Sequence, residues 1–232
     1  MNPKNNKIAI IGMGYVGLPL AVALAKKNHV VGFDINKIRV NNLKRGIDQT
    51  KEILKNKITN SKKLRFSDKI SDLSKCETYI ITVPTPVDKN NKPNLKPLLN
   101  ATKTISKVLS KNNLVIYEST VFPGATEELC GPILEKNSGF KINKNLYLGY
   151  SPERINPGDK NRKLTDIVKI VSGSNKKAQA RVSKLYSSII KAGVYKTDSI
   201  KTAEAAKVIE NTQRDLNIAL INELSIIFKK LK

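Results

Sequence analysis

Three glycines at fixed offsets constrain this chain most: Gly12-Met13-Gly14-Tyr15-Val16-Gly17, preceded by the apolar run Ile8-Ala9-Ile10-Ile11. The run reads as a buried parallel strand. Gly12 permits a tight turn out of that strand. Gly14 carries no side chain, so a pyrophosphate can approach the backbone. Gly17 lets the next helix pack closely on the sheet. That helix is expected over residues 18–27, its first N–H groups aimed at the phosphates. A second apolar strand, Val30-Val31-Gly32-Phe33, ends in Asp34, 22 residues after Gly12. An acid there accepts hydrogen bonds from the adenosine ribose hydroxyls and repels a 2′-phosphate. The pattern therefore points to NAD rather than NADP.

The same residues admit a rival. Lys4 and Lys7 precede 18 uncharged residues, 8–25, ending in Ala-Leu-Ala. That resembles a secretory leader and is near the minimum for a membrane span. Gly12, Gly14, Gly17 and Pro19 inside the stretch, and its division into a strand-like and a helical half, speak against it. The expectation is a cytoplasmic protein with no membrane span. Cys76 and Cys130 fit a reducing compartment, and no metal cluster is expected.

The net charge is +23, from 42 basic and 19 acidic residues, but only seven of the basic residues are arginine. Aromatic and basic residues do not interleave as they do where bases stack. The lysines spread along the whole chain. No specific nucleic-acid partner is expected, only salt-sensitive attraction to polyanions and diphosphate ligands.

Strand and helix signals alternate, which predicts an α/β, doubly wound parallel sheet of the Rossmann type. Strands are expected at 64–66, 79–83, 114–117, 146–150, 167–171 and 194–195. Helices are expected at 36–44, near Glu52, and at 95–109, 124–134 and 176–190. Ligands of such sheets bind beyond the carboxyl ends of the strands. From about Ile200 one helical pattern runs to the end, with Ile209, Thr212, Leu216, Leu220, Leu224, Ile227 and Leu231 at three- and four-residue spacing. Ile218, Ile221, Ile226 and Phe228 lie off that stripe. Such a helix either packs on its own domain or awaits a partner. The division expected is residues 1–199 as a cofactor domain and 200–232 as the start of a central helix.

With these residues in view, the chain resembles the UDP-glucose/GDP-mannose dehydrogenase family, over essentially its whole length. The glycine motif and Asp34 resemble the family's NAD motif, and Arg39 falls where the family also contacts NAD. Val83-Pro84-Thr85-Pro86 resembles the loop beside the nicotinamide. Glu118-Ser119-Thr120-Val121 resembles the next cofactor loop, whose threonine lies near the reacting carbon. Ser151-Pro152-Glu153-Arg154-Ile155-Asn156-Pro157-Gly158 resembles the substrate loop with its catalytic glutamate. Lys207 and Asn211, four apart on the long helix, match a catalytic lysine and its asparagine partner.

The resemblance implies oxidation of a sugar C6 hydroxyl to a carboxylate by two NAD molecules, through a cysteine thiohemiacetal and thioester. Glu153 would act as general base or orient water. Lys207 would stabilise an oxyanion, with Asn211 on the same helix face. Thr120 would hydrogen-bond the hydroxyl or a water. The Ser-Pro-Glu-Arg form and Gly46-Ile47-Asp48-Gln49-Thr50 are similar to the UDP-N-acetylhexosamine 6-dehydrogenases of capsule and O-antigen synthesis, of gluco or galacto configuration. UDP-glucose and UDP-ManNAc enzymes are the alternatives. The resemblance also implies a homodimer through the long helix. It puts the nucleophilic cysteine and a C-terminal UDP-binding domain beyond residue 232, so a chain short of the complete reaction is expected. Cys76 and Cys130 match no nucleophile motif and read as small buried hydrophobes. A non-catalytic NAD-binding and dimerisation module is the competing class.

Overall fold

The computed structural model describes residues 7–154 and 164–231. Strands β1 (Lys7–Ile11), β2 (His29–Phe33), β3 (Leu64–Ser67), β4 (Thr78–Ile81), β5 (Asn113–Tyr117), β6 (Leu146–Tyr150), β7 (Lys169–Gly173) and β8 (Val194–Lys196) form one sheet in the order 3-2-1-4-5-6-7-8. The strand order reverses beside β1, the place where such sheets open a crevice. Helices α1 (Gly17–Ala25), α2 (Lys37–Lys44), α3 (Lys55–Thr59), α4 (Lys96–Ser106), α5 (Gly131–Ser138), α6 (Lys176–Ser187) and α7 (Ile200–Lys230) complete the fold.

Alternate strand residues point to opposite faces, and both faces are covered. Ala9, Ile11, Ile81 and Tyr117 pack with α4 and α5 on one side. Ile8, Ile10, Ile80 and Ile116 pack with α1 and α6 on the other. This is why the strands read as unbroken apolar runs. The stretch that resembled a leader is β1, the glycine turn and α1, buried through the centre of both layers.

Several expectations need correction. The sheet is not wholly parallel: β6 and β7 pair antiparallel, Tyr150 opposite Ser172. The chain leaves β6 at its carboxyl end and enters β7 at that same end, so no crossover intervenes. The seam is fastened by Ser151 Oγ donating to Ile170 O and Ser172 Oγ donating to Tyr150 O. The segment after residue 124 is a π-helical turn, Ala125–Cys130, before α5 begins. Pro132 has no N–H for the carbonyl four residues back, so the regular ladder opens there. The strand expected to reach Val83 ends at Ile81, because Thr82 turns to donate its hydroxyl to the Gly12 carbonyl, 2.8 Å away. The helix expected near Glu52 begins at Lys55, since the backbone N–H groups of Glu52 and Ile53 are taken by the Asp48 carboxylate.

Among the described residues, helix α7 is anchored in its first three turns. Ile200 and Ala203 are buried, and Glu204 accepts the N–H groups of Gly124 and Thr126. Beyond Ile209 its apolar stripe is uncovered in this chain: Leu216, Leu220 and Phe228 are each more than half exposed.

Candidate active site

A cavity of about 770 Å³ opens where β1, β2, β4, β5 and β6 end. Its first wall is the glycine loop. Gly12 sits at φ +98°, a conformation L side chains rarely adopt. A Cβ on Gly17 would lie 1.9 Å from the Gly12 carbonyl oxygen, so α1 can begin there only with glycine. A Cβ on Gly14 would meet nothing within 4 Å. The space over Gly14 is open, the cradle a pyrophosphate requires and a side chain would fill.

Asp34 closes the adjoining corner. Its carboxylate accepts Met13 N–H at 2.8 Å and Asn36 N–H at 2.9 Å, so it braces the loop while lining the cavity. Arg39 supports the loop from behind. Its Nε donates to Met13 O at 2.8 Å, and Nη2 pairs with Asp48 at 2.8 Å. Burial pushes the Asp48 carboxyl up, but hydrogen bonds from Thr50, Ile53 and Arg39 outweigh it and hold the group below its ordinary value. Arg39 Nη1 is buried with no hydrogen-bond partner.

The second wall is the loop after β4. Val83, Pro84, Thr85 and Pro86 all line the cavity. Two prolines hold the loop extended, and Ser119 Oγ donates to Val83 O at 2.6 Å, joining it to the loop after β5. Thr85 lines the cavity, and its Oγ1 is buried without a hydrogen-bond partner. Open space over Gly14, a ribose-side acid and an unpartnered hydroxyl together fit a dinucleotide.

The third wall carries titratable groups. Glu118, Ser119, Thr120 and Glu153 line it. Behind them Lys169 is buried, its Nζ donating to Glu118 Oε2 at 2.9 Å and to Glu153 Oε2 at 3.4 Å. Tyr186 of α6 donates its hydroxyl to the other Glu118 oxygen. Burial raises the Glu118 carboxyl to about 7; Lys169 opposes this and Glu153 adds to it. Burial pulls the Lys169 ammonium down, yet the two carboxylates outweigh it and leave it above an ordinary lysine. Sequence reasoning missed Lys169 and Tyr186. One lysine among many carries no signal, and only Glu118, an acid at the end of an apolar strand, hinted at the cluster.

The expected site residues therefore separate. Gly12, Gly14, Tyr15, Val16, Asp34, residues 83–86, Ser119, Thr120 and Glu153 share the cavity. Met13, Gly17 and Arg39 shape its wall from behind. Lys207 is half-buried on α7, and Asn211 is exposed one turn further on. Burial lowers the Lys207 ammonium despite the pull of Glu210 and Glu153. Arg154 pairs with Glu210 at 3.0 Å, tying the loop after β6 to the α7 segment between Lys207 and Asn211. Ile155 and Asn156 lie outside the described residues. Cys76 and Cys130 are core residues away from the cavity wall; burial pushes the Cys76 thiol to about 11 and raises that of Cys130. Among the described residues no group of three or more His, Cys, Asp or Glu could hold a metal, and no helix is long and apolar enough to cross a membrane.

Fold and cavity define an NAD-type dinucleotide-binding domain with acidic residues at the far end of its crevice. The chain belongs to the UDP-glucose/GDP-mannose dehydrogenase family: residues 6–190 match the family's NAD binding domain, and residues 201–232 its central domain. It is 55% identical over 228 residues to a UDP-N-acetyl-D-glucosamine 6-dehydrogenase of Pseudomonas aeruginosa, covering 98% of this chain and 54% of that one. It is 54% identical to Protein CapL of Staphylococcus aureus, covering 98% and 53%. Among solved structures it is similar to a UDP-D-ManNAc dehydrogenase of Pyrococcus horikoshii, with a TM-score of 0.89 at 34% identity, covering 95% and 53%. The chain thus spans about half the length of the curated relatives it matches.

Proposed function

We propose that this chain supplies the cofactor site and part of the catalytic machinery for NAD-dependent oxidation of the C6 hydroxyl of a UDP-N-acetylhexosamine, of the GlcNAc type. The product serves bacterial surface polysaccharide, capsule or O-antigen. The observation that carries this reading is one cavity with a glycine-loop cradle at one end and Glu153 at the other. Bound NAD would accept hydride from the sugar carbon. Gly12 to Gly17 and Asp34 hold its adenosine end, and residues 83–86 with Ser119 position its nicotinamide end. Glu153 takes the proton of the C6 hydroxyl as hydride leaves the carbon, or that of the hydrolytic water. Lys207, its ammonium already lowered by burial, faces charge that develops on the sugar oxygen, and Asn211 lies one turn along the same helix. Thr120, exposed at the mouth, donates to the same oxygen. Arg154, Ile155 and Asn156 belong to the substrate loop.

The division into a cofactor domain, 1–199, and a central helix, 200–232, belongs to the same proposal. So do a homodimer through the bare stripe of α7, a cytoplasmic location and the absence of a specific nucleic-acid partner. Neither Cys76 nor Cys130 suits aldehyde capture, because both thiols are buried and raised. The purified chain incubated with UDP-GlcNAc and NAD is therefore expected to form no uronate. Sustained uronate formation would overturn the assignment of both cysteines to the core.

A further inference from the structure

We propose that Lys169 is a positioning residue for Glu153: its enclosed ammonium, which also pairs with Glu118, holds the Glu153 carboxylate at the cavity wall as an anion. This rests on the reading of Glu153 as the reacting base.

The first support is topological. Lys169 is the first residue of β7. In a fully parallel sheet the first residue of a strand lies at the end opposite the ligand crevice. The antiparallel return from β6 to β7 instead delivers Lys169 to the carboxyl ends of β5 and β6, where Glu118 and Glu153 stand. The antiparallel pairing of β6 with β7, the one departure from parallel order among the described strands, puts a cation behind the cavity wall.

The second is a count of charges. A buried ion pair adds little to stability once desolvation is subtracted, and it needs only one carboxylate per ammonium. Here one ammonium meets two carboxylates, from the loops that follow two different strands. The arrangement around it is unequal. Glu118 is the nearer, at 2.9 Å; its second oxygen takes the Tyr186 hydroxyl, and the Tyr186 ring lies 5.4 Å from the ammonium. Glu153 is the farther, at 3.4 Å. Both carboxylates line the cavity and Lys169 does not, so Lys169 acts on the cavity through the carboxylates it holds.

The third is the chemistry around the ammonium. Burial raises the Glu118 carboxyl to about 7, although Lys169 lowers it. Tyr186 is held well above an ordinary phenol by burial and by Glu118, so it stays protonated. On the cavity side Glu153 accepts the Arg154 N–H at 2.6 Å and feels the Lys207 ammonium of α7. A general base must be unprotonated to act, and a cation 3.4 Å away favours the charged form of a carboxylate.

The test is a carbon-13 NMR titration of this chain labelled at the glutamate carboxyl carbons. The Glu118 and Glu153 signals are assigned from Glu118→Gln and Glu153→Gln. In Lys169→Met the midpoint at which Glu153 takes up its proton is expected to move upward, and Lys169→Arg is expected to bring it back toward the parent. Because Lys169→Met leaves Glu118 buried without its cation, Glu118→Gln/Lys169→Met is titrated alongside; it too is expected to show the upward shift. An unchanged Glu153 midpoint in either folded variant would overturn the proposal and reduce Lys169 to a strut of the β6–β7 seam. An NADH titration of the parent chain separates the two claims. Loss of NADH binding would strike the dehydrogenase reading and leave the carboxylate titration standing.

Discussion

The two ends of the cavity are made in different ways. The cofactor end is built from backbone: a glycine turn, a helix start and a strand-terminal acid, within 28 consecutive residues from Lys7 to Asp34. The acidic end is built from side chains 68 residues apart, Glu118 and Tyr186, with Glu153 and Lys169 between them in sequence. Local geometry makes the first rigid. Tertiary pairing of β6 with β7 makes the second, and buried charge makes it sensitive to pH.

The sharpest break between the two ends comes from their smallest residues. Gly17→Ala forces a methyl to 1.9 Å from the Gly12 carbonyl oxygen. It is expected to destabilise by about 3 kcal/mol or more, as backbone clashes in packed regions do. For a chain of this size that lowers Tm by roughly 6–12 °C, read by thermal unfolding. Gly14→Ala, two residues inside the same motif, places its methyl in open space. It is expected to leave Tm unaltered and weaken NADH binding by about tenfold, or about 1.4 kcal/mol, measured by fluorescence titration. Equal effects of the two substitutions would show that the loop is not a ligand cradle.

A smaller effect is expected at the acidic end, as a slope. The Glu118 carboxyl is raised in the folded chain from 4.5 to about 7. A group raised on folding gives its full stabilisation below the unfolded value and loses it as pH climbs through the folded one. Stability is therefore expected to decline between about pH 4.5 and 7 on this group's account. Urea unfolding across that window should show a flatter curve for Glu118→Gln. Smallest of all is Leu216→Glu on the bare stripe of α7. Leu216 is 64% exposed, so the change is expected to alter the stability of the single chain by no more than about 0.5 kcal/mol. A large loss would mean that α7 is covered within this chain.

The difference between the ends also explains what could be read from the sequence. Gly12, Gly14, Gly17 and Asp34 act at short, fixed offsets, and each was legible alone. The prolines at 84 and 86 put the end of their strand two residues late, because Thr82 turns away first. Direction of pairing is not written in apolar periodicity, so the antiparallel β7 was read as parallel. Lys169 looked like any other lysine until the fold enclosed it. The pattern over 124–134 reads as one helix and does not show the π-helical turn that Pro132, lacking an N–H, imposes before α5. Arg39 was placed by resemblance to a cofactor contact; in the folded chain its Nε and Nη2 hold Met13 and Asp48. The spacing on α7 is that of a helix, while the described residues cover only its first turns.

The most direct test of the cofactor end is a paired titration of the purified chain with NADH and NADPH, repeated on Asp34→Ala. Asp34 lines the cavity at the ribose corner and carries negative charge toward any 2′-phosphate. NADH is expected to bind at least about tenfold tighter than NADPH, with the gap narrowing in the variant. Absence of NADH binding, or equal binding of the two nucleotides by the parent chain, would contradict the reading of this cavity as an NAD site.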